Sequence, residues 1–197
     1  MKYFTKSHWR RMQRLLDGPD PSFECHMMEL CTRYKRELRK IIPVFPKCTR
    51  DLFLESCLNG AYLSYLQVIQ NSVANTKCSF RGKTHRVDII ISLLLKSPDI
   101  GCDVNYILKY IDVKRYKIDY PTCSPLHFDE SPGLDSWGFD ELSKRGKWLL
   151  HDILFHSGAE MEITFRTLCV RKRLRRCGGR ARRGGGVGGG PSGVQCT

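Results

Sequence analysis

The sequence predicts a mainly α-helical protein, built as short stacked helix pairs with irregular connections and a disordered C-terminal tail. Three observations carry that expectation. Apolar residues recur at helical spacing in several short segments. Glycine and proline clusters separate those segments, as at Asp17-Gly18-Pro19-Asp20-Pro21 and Ser97-Pro98. From Arg171 to Thr197 the chain turns to arginine and glycine and offers almost nothing to bury.

Taken in order, Phe4, Trp9, Met12, Leu15 and Leu16 define an amphipathic helix that ends at the Gly18-Pro19 breaker. Ser22 is placed to cap a second helix, with Phe23, Met27, Leu30, Cys31, Tyr34 and Leu38 on one stripe. Its Arg33, Lys35, Arg36, Arg39 and Lys40 read as the solvated face, and Pro43 and Pro46 end it. Thr49 or Asp51 opens a third helix, RDLFLESCLNG, punctuated by Gly60. The segment AYLSYLQVIQNS is expected to be a fourth helix and HRVDIIISLLLKS a fifth. Ile89-Ile90-Ile91 would also suit a buried strand, but Leu93-Leu94-Leu95 tips the expectation toward helix. A last helix is expected over about Asp140–His156, with Gly158 as a left-handed C-cap.

Several short motifs in this order resemble ankyrin repeats. His85 to Ile90, followed by Leu93-Leu94-Leu95 and Asp103-Val104-Asn105, resembles that family's second helix and its turn. Thr122-Cys123-Ser124-Pro125-Leu126-His127-Phe128 resembles the Thr-Pro-Leu-His start of a repeat, where proline fits the first helical position. Within such a repeat His127 would be a structural hydrogen-bonder. Trp148-Leu149-Leu150 through His156-Ser157-Gly158-Ala159 resembles the same helix with its His-x-Gly-Ala turn, and Asn59 to Ile69 is a fainter case. The spacings depart from the family's period of about 33 residues. The resemblance implies a divergent or truncated member of the ankyrin repeat and SOCS box family. Its organisation would be an N-terminal helical region (1–46), ankyrin-like helical repeats (47–168) and an Arg/Gly-rich tail (169–197). No SOCS box follows Leu168-Cys169-Val170.

Composition bounds the function. With 41% hydrophobic and 10% aromatic residues, the body up to Val170 can bury a core. The net charge is +13, yet Arg171, Lys172, Arg173, Arg175, Arg176, Arg180, Arg182 and Arg183 supply eight of those charges, leaving the body at +5. Those eight residues are the candidate nucleic-acid or localisation site. The tail reads in three ways: an alternative or truncated C-terminus, a nuclear address, or a salt-sensitive binder of RNA or DNA. It lacks interleaved Phe or Tyr on which bases could stack.

The ten cysteines are scattered, and MKYFTKSHWRRMQRLL has neither an apolar run nor a small-residue cleavage site. Most cysteines are therefore expected as small buried hydrophobes of an intracellular protein, cytoplasmic or nuclear. No metal site is expected, because Cys25, His26 and Cys31 lack a matching second pair. No cofactor and no catalytic residue is expected either, since the sequence holds no phosphate-binding glycine loop and no nucleophile elbow. The glycines at 184–186 and 188–190 have no such context, and Asp129-Glu130 beside His127 reads as a solvated acidic pair. The expected function is a non-catalytic protein–protein interaction module, an adaptor such as a ubiquitin-ligase substrate receptor, away from membranes. The alternative is a nucleic-acid-associated protein acting through its basic tail. Tyr62, Tyr65, Tyr106, Tyr110, Tyr116 and Trp137 are candidate contacts with a protein partner.

Overall fold

Burial alternates with a period of two along Asp103–Ile111, where Val104, Tyr106, Leu108 and Tyr110 point inward and their neighbours outward. That is the signature of a strand with one face on a core. The computed structural model describes residues 1–14, 20–74, 83–96, 103–120 and 134–175. Among these described residues, three α-helices come first: α1 (Lys6–Arg14), α2 (Pro21–Ile41) and α3 (Lys47–Glu55), with a short 3₁₀ turn at Ile42–Val44. Eight strands follow: β1 (Tyr62–Ala74), β2 (Lys83–Leu95), β3 (Asp103–Ile111), β4 (Arg115–Asp119), β5 (Trp137–Arg145), β6 (Trp148–Phe155), β7 (Glu160–Phe165) and β8 (Thr167–Arg175). They form two antiparallel sheets, ordered β1-β2-β3-β8 (sheet A) and β4-β7-β6-β5 (sheet B).

The two sheets meet at two seams. At the first, β3 runs into β4 while β7 runs into β8, so one long two-stranded ribbon bends from sheet A into sheet B. Hydrogen bonds continue through the bend: Val113 N–H to Val87 O (2.7 Å), Lys114 N–H to Thr164 O (2.8 Å) and Arg166 N–H to Ile111 O (3.1 Å). At the second seam the start of β1 pairs with the start of β5, through Gly60 N–H to Trp137 O and Trp137 N–H to Ala61 O. A bulge near Gly138 lets β5 approach there. A Cβ on Gly138 would lie 2.7 Å from Leu154 O, so no side chain fits without moving backbone.

The enclosed core takes the inward faces of both sheets, with Leu38, Ile42, Phe45 and Leu52 from the helical segment joining the same cluster. The Thr49 hydroxyl donates to Leu168 O at the free edge of β8 (3.1 Å). A second apolar layer lies on the outer face of sheet B. There Phe4 stacks on Phe139 (5.2 Å), and Trp9 sits edge-on to Phe139 (5.4 Å) and His156 (4.5 Å). Glu141, only 3% exposed, fixes this layer by accepting from the backbone N–H groups of Lys2 (2.7 Å), Tyr3 (2.6 Å) and Phe4 (2.5 Å). The Asp20 side chain caps α2 through Phe23 N–H. Hydrogen bonds from Ser22 and Arg11, with that capping bond, lower its carboxyl to about 2.

The mainly α expectation is overturned, and the ankyrin resemblance with it. Three N-terminal helices are present as expected, but Asp20 rather than Ser22 caps α2, and α3 begins at Lys47 and ends at Glu55, short of Gly60. Arg33, Lys35, Arg36, Arg39 and Lys40 of α2 are exposed. The expected fourth and fifth helices are instead β1 and β2, paired antiparallel over their whole length. The expected helix over 140–156 is the β5–β6 hairpin, turned by Gly146 at φ +60°. Gly158 is left-handed as expected, at φ +82°, but in the hairpin between β6 and β7 rather than as a helix cap. Thr122–Phe128 and His127 lie outside the described residues. The ligase-adaptor expectation, drawn from the resemblance alone, loses that support.

Two stability predictions follow from these contacts. Glu141→Ala strands three backbone donors and should lower the unfolding free energy by about 2–4 kcal/mol in urea denaturation followed by tryptophan fluorescence. Asp20→Ala removes the N-cap of α2 and should lower the melting temperature. Because Asp20 is lowered in the fold, its contribution is present above the ordinary 3.8 and is lost as pH falls through about 2. The wild-type and Asp20→Ala melting temperatures should therefore converge on acidification between those values.

Candidate functional site

The candidate site begins at the tight turn of the β5–β6 hairpin. Gly146 takes the left-handed position that closes a two-residue turn, so Arg145 lies directly across from Trp148. Leu150 on β6 is opposite Thr164 on β7, which brings Trp148 level with Arg166 just beyond the end of β7. Lys114 enters from the bend between β3 and β4. The half-buried Trp148 ring is consequently ringed by three cations: Arg166 at 5.2 Å, Lys114 at 5.6 Å and Lys147 at 6.0 Å from its centroid. Such distances fall within the reach of cation–π attraction.

Around this centre, Lys114, Arg115, Lys144, Arg145, Lys147 and Arg166 are all exposed. The acids nearby are few. Asp112 lies 3.5 Å from Arg166 and Glu162 lies 3.8 Å from Arg115, so most of the positive charge is uncompensated. From Arg166 the basic character continues into β8, whose Arg171, Lys172 and Arg173 are exposed. Arg171 and Arg173, opposite Ile107 and Asn105, share the outer face of sheet A. Residues two apart on a strand face stand about 6.7 Å from each other, a spacing at which like charges stay solvated and unpaired.

The residues named from the charge run divide at this point. Arg171, Lys172, Arg173 and Arg175 belong to strand β8, paired with Ile107, Tyr106, Asn105 and Asp103, where the sequence pattern had begun the disordered tail. Arg176, Arg180, Arg182 and Arg183 lie outside the described residues. Of the aromatic contact candidates, Tyr106, Tyr110 and Trp137 are core residues, whereas Tyr62, Tyr65 and Tyr116 are exposed. Sequence reasoning passed over Trp148, although Lys144-Arg145-Gly146-Lys147-Trp148 carries the signal of an aromatic set among cations. Cys25, Cys48 and Cys57 are exposed and Cys31 and Cys169 half-buried, so none of the described cysteines is a buried hydrophobe. Burial raises the Cys31 thiol above its ordinary value.

A polar chain crosses the core beneath this surface. The Tyr110 hydroxyl lies 2.8 Å from His151 Nδ1, His151 Nε2 lies 3.1 Å from Asp140 Oδ2, and Trp137 Nε1–H donates to Asp140 Oδ1 (3.0 Å). Burial, and next the Asp140 charge, raise the Tyr110 hydroxyl well above its usual value, so it stays a donor. Tyr110, His151 and Trp137 are fully buried, and the chain spans from sheet A to sheet B as an internal tie.

Among the described residues, no three His, Cys, Asp or Glu side chains converge as a metal site. The best-formed pocket there, about 130 Å³ between Met1, Lys117, Asp119, Asp152 and Glu160, is small beside the 300–1,000 Å³ of typical ligand sites. No helix among the described residues is long and apolar enough to cross a membrane. No protein-family model, no curated protein and no solved structure matches the chain.

Tyr110→Phe leaves His151 Nδ1 buried without its partner and should cost about 1–3 kcal/mol in thermal or urea unfolding.

Proposed function

We propose that the protein is a non-catalytic binding module for single-stranded nucleic acid, held on the basic face around Trp148. The observation that carries the reading is the ring of Arg166, Lys114 and Lys147 about a half-exposed indole. Three cations crowded on one aromatic repel each other, and a chain of phosphates relieves that repulsion. The indole offers a π-face to a base, a contact worth about 1–3 kcal/mol and tolerant of sequence. Long, solvated lysine and arginine side chains can leave the ring for phosphates as a base takes their place. The exposed cations of β8 extend the electrostatic track along the edge of sheet A. Duplex is the poorer ligand on this reading, because its bases are already stacked.

Fluorescence anisotropy with labelled oligo-dT, oligo-U and a duplex of matched length tests the proposal. Trp148→Ala should weaken single-strand binding by about ten-fold or more without changing the salt slope. Lys114→Glu with Arg166→Glu should weaken it and flatten the plot of log affinity against log salt by about 1.4, from two lost phosphate contacts on a single strand. Removing residues 176–197 should lower affinity but leave the Trp148 dependence in place. Binding that vanishes with 176–197 and ignores Trp148 would assign the activity to the tail alone. Displacement by poly-glutamate as readily as by oligonucleotide would point to an acidic protein partner and end the nucleic-acid reading.

A further inference from the structure

Sheet A has two edges, and they are treated differently. One edge is β8, which carries Arg171, Lys172, Arg173 and Arg175. The free edge of sheet B, β4, carries Arg115, Lys117 and Asp119. Charges of this kind are how native sheets prevent edge-to-edge pairing. The other edge of sheet A is β1, and its thirteen residues, YLSYLQVIQNSVA, contain no Lys, Arg, Asp, Glu, Pro or Gly.

Among the described residues, the outer side of β1 is bonded only near its start, where Leu63 N–H reaches Asp135 O and Tyr62 bridges Ser136. From Tyr65 to Ala74 the strand pairs with β2 alone. That leaves a run of backbone donors and acceptors about 30 Å long on one side. Tyr65 and Val68 on this strand are 45% and 44% exposed. Their partners Ser92 and Ile89 stand on opposite faces of β2, so both faces of the edge present an apolar side chain.

We propose that β1 pairs antiparallel with β1 of a second copy of the chain, joining two four-stranded sheets into one across a two-fold axis. The occupant follows from the charge pattern. Around a two-fold axis each residue of a strand meets its own mirror position, so any charged residue near the centre would face its own kind. An uncharged strand rich in Gln, Asn, Ser and β-branched residues meets that condition, and β8 with its four cations fails it. A partner recognised by opposite charge would need a charged edge, which β1 lacks. The inference does not rest on nucleic-acid binding.

Sedimentation equilibrium over a dilution series tests it, with the full chain in nucleic-acid-free buffer. The small contact predicts a dimer dissociating in about the micromolar range and little affected by salt. Val68→Lys with Gln70→Lys should raise the dissociation constant at least about ten-fold while circular dichroism stays that of the wild type. Arg171→Glu with Arg173→Glu should leave self-association in place. Hydrogen exchange on the unmodified protein gives an independent reading: amides between Tyr65 and Asn71 should lose protection on dilution. A monomer at every concentration would overturn the proposal. So would a dimer whose β1 amides exchange at the same rate when dissociated.

Discussion

A single buried carboxylate organises the bend on which the structure depends. Asp88 of β2 is fully buried on the outer side of sheet A, close to the point where the β3–β4 ribbon turns into sheet B. It accepts from Asn71 Nδ2 (3.1 Å), Arg86 Nη2 (3.2 Å) and the backbone N–H of Asp112 (3.2 Å), with Lys109 Nζ at 3.6 Å. A lone buried carboxylate would cost several kcal/mol, so the site is tolerable only with all its partners in place. Those partners come from β1, β2, β3 and the bend itself. Asp112 takes a left-handed backbone conformation at φ 57°, which aspartate tolerates better than most residues. The contribution of Asp88 is therefore geometric: it selects one bend angle and one register.

The basic face borders that bend. Lys114 is two residues past Asp112, and Arg166 occupies the matching corner of the partner strand, 3.5 Å from the Asp112 carboxylate. Strand pairing in sheet B sets both beside Trp148. Under the same corner, the Tyr110–His151–Asp140 chain ties β3 to β6 and β5 and holds the two sheets in fixed separation. The pairing of β4, β7 and β6 within sheet B gathers charges dispersed along the sequence into one patch. By contrast, the charge-free edge of β1 is a property of composition and is readable in the linear chain.

The helices were legible because their apolar stripes have one unambiguous period. Phe23, Tyr34 and Leu38 of α2 face the sheets while its arginines and lysines stay in water. The strands were not, for a different reason in each case. In β2, Asp88 and Ser92 on the outer face are as buried as Ile89, Ile91 and Leu93 on the inner one. Burial on both faces removes the alternation by which a strand is recognised, and a continuous apolar run also suits a helix. In β1 the spacing of Tyr62, Tyr65, Leu66 and Ile69 imitates a helical stripe. The β5–β6 hairpin did carry a signal, since Gly146 in mid-helix is unfavourable, but the flanking leucines outweighed it. As for the site, Trp148 and Lys147 are neighbours in sequence, whereas Lys114 and Arg166 arrive only through β-pairing. No local pattern reveals that convergence.

The bent ribbon is a built corner, held by hydrogen bonds on both sides and locked by Asp88. Native-state hydrogen exchange of the Val113, Lys114 and Arg166 amides tests it directly, because each is bonded across the bend to Val87, Thr164 or Ile111. All three should exchange only with global unfolding, at rates matching the central amides of β3. In Asp88→Asn the same three should speed up more than amides in the middle of β6. Exchange at the corner as fast as in the exposed Gly146–Lys147 turn would contradict the account.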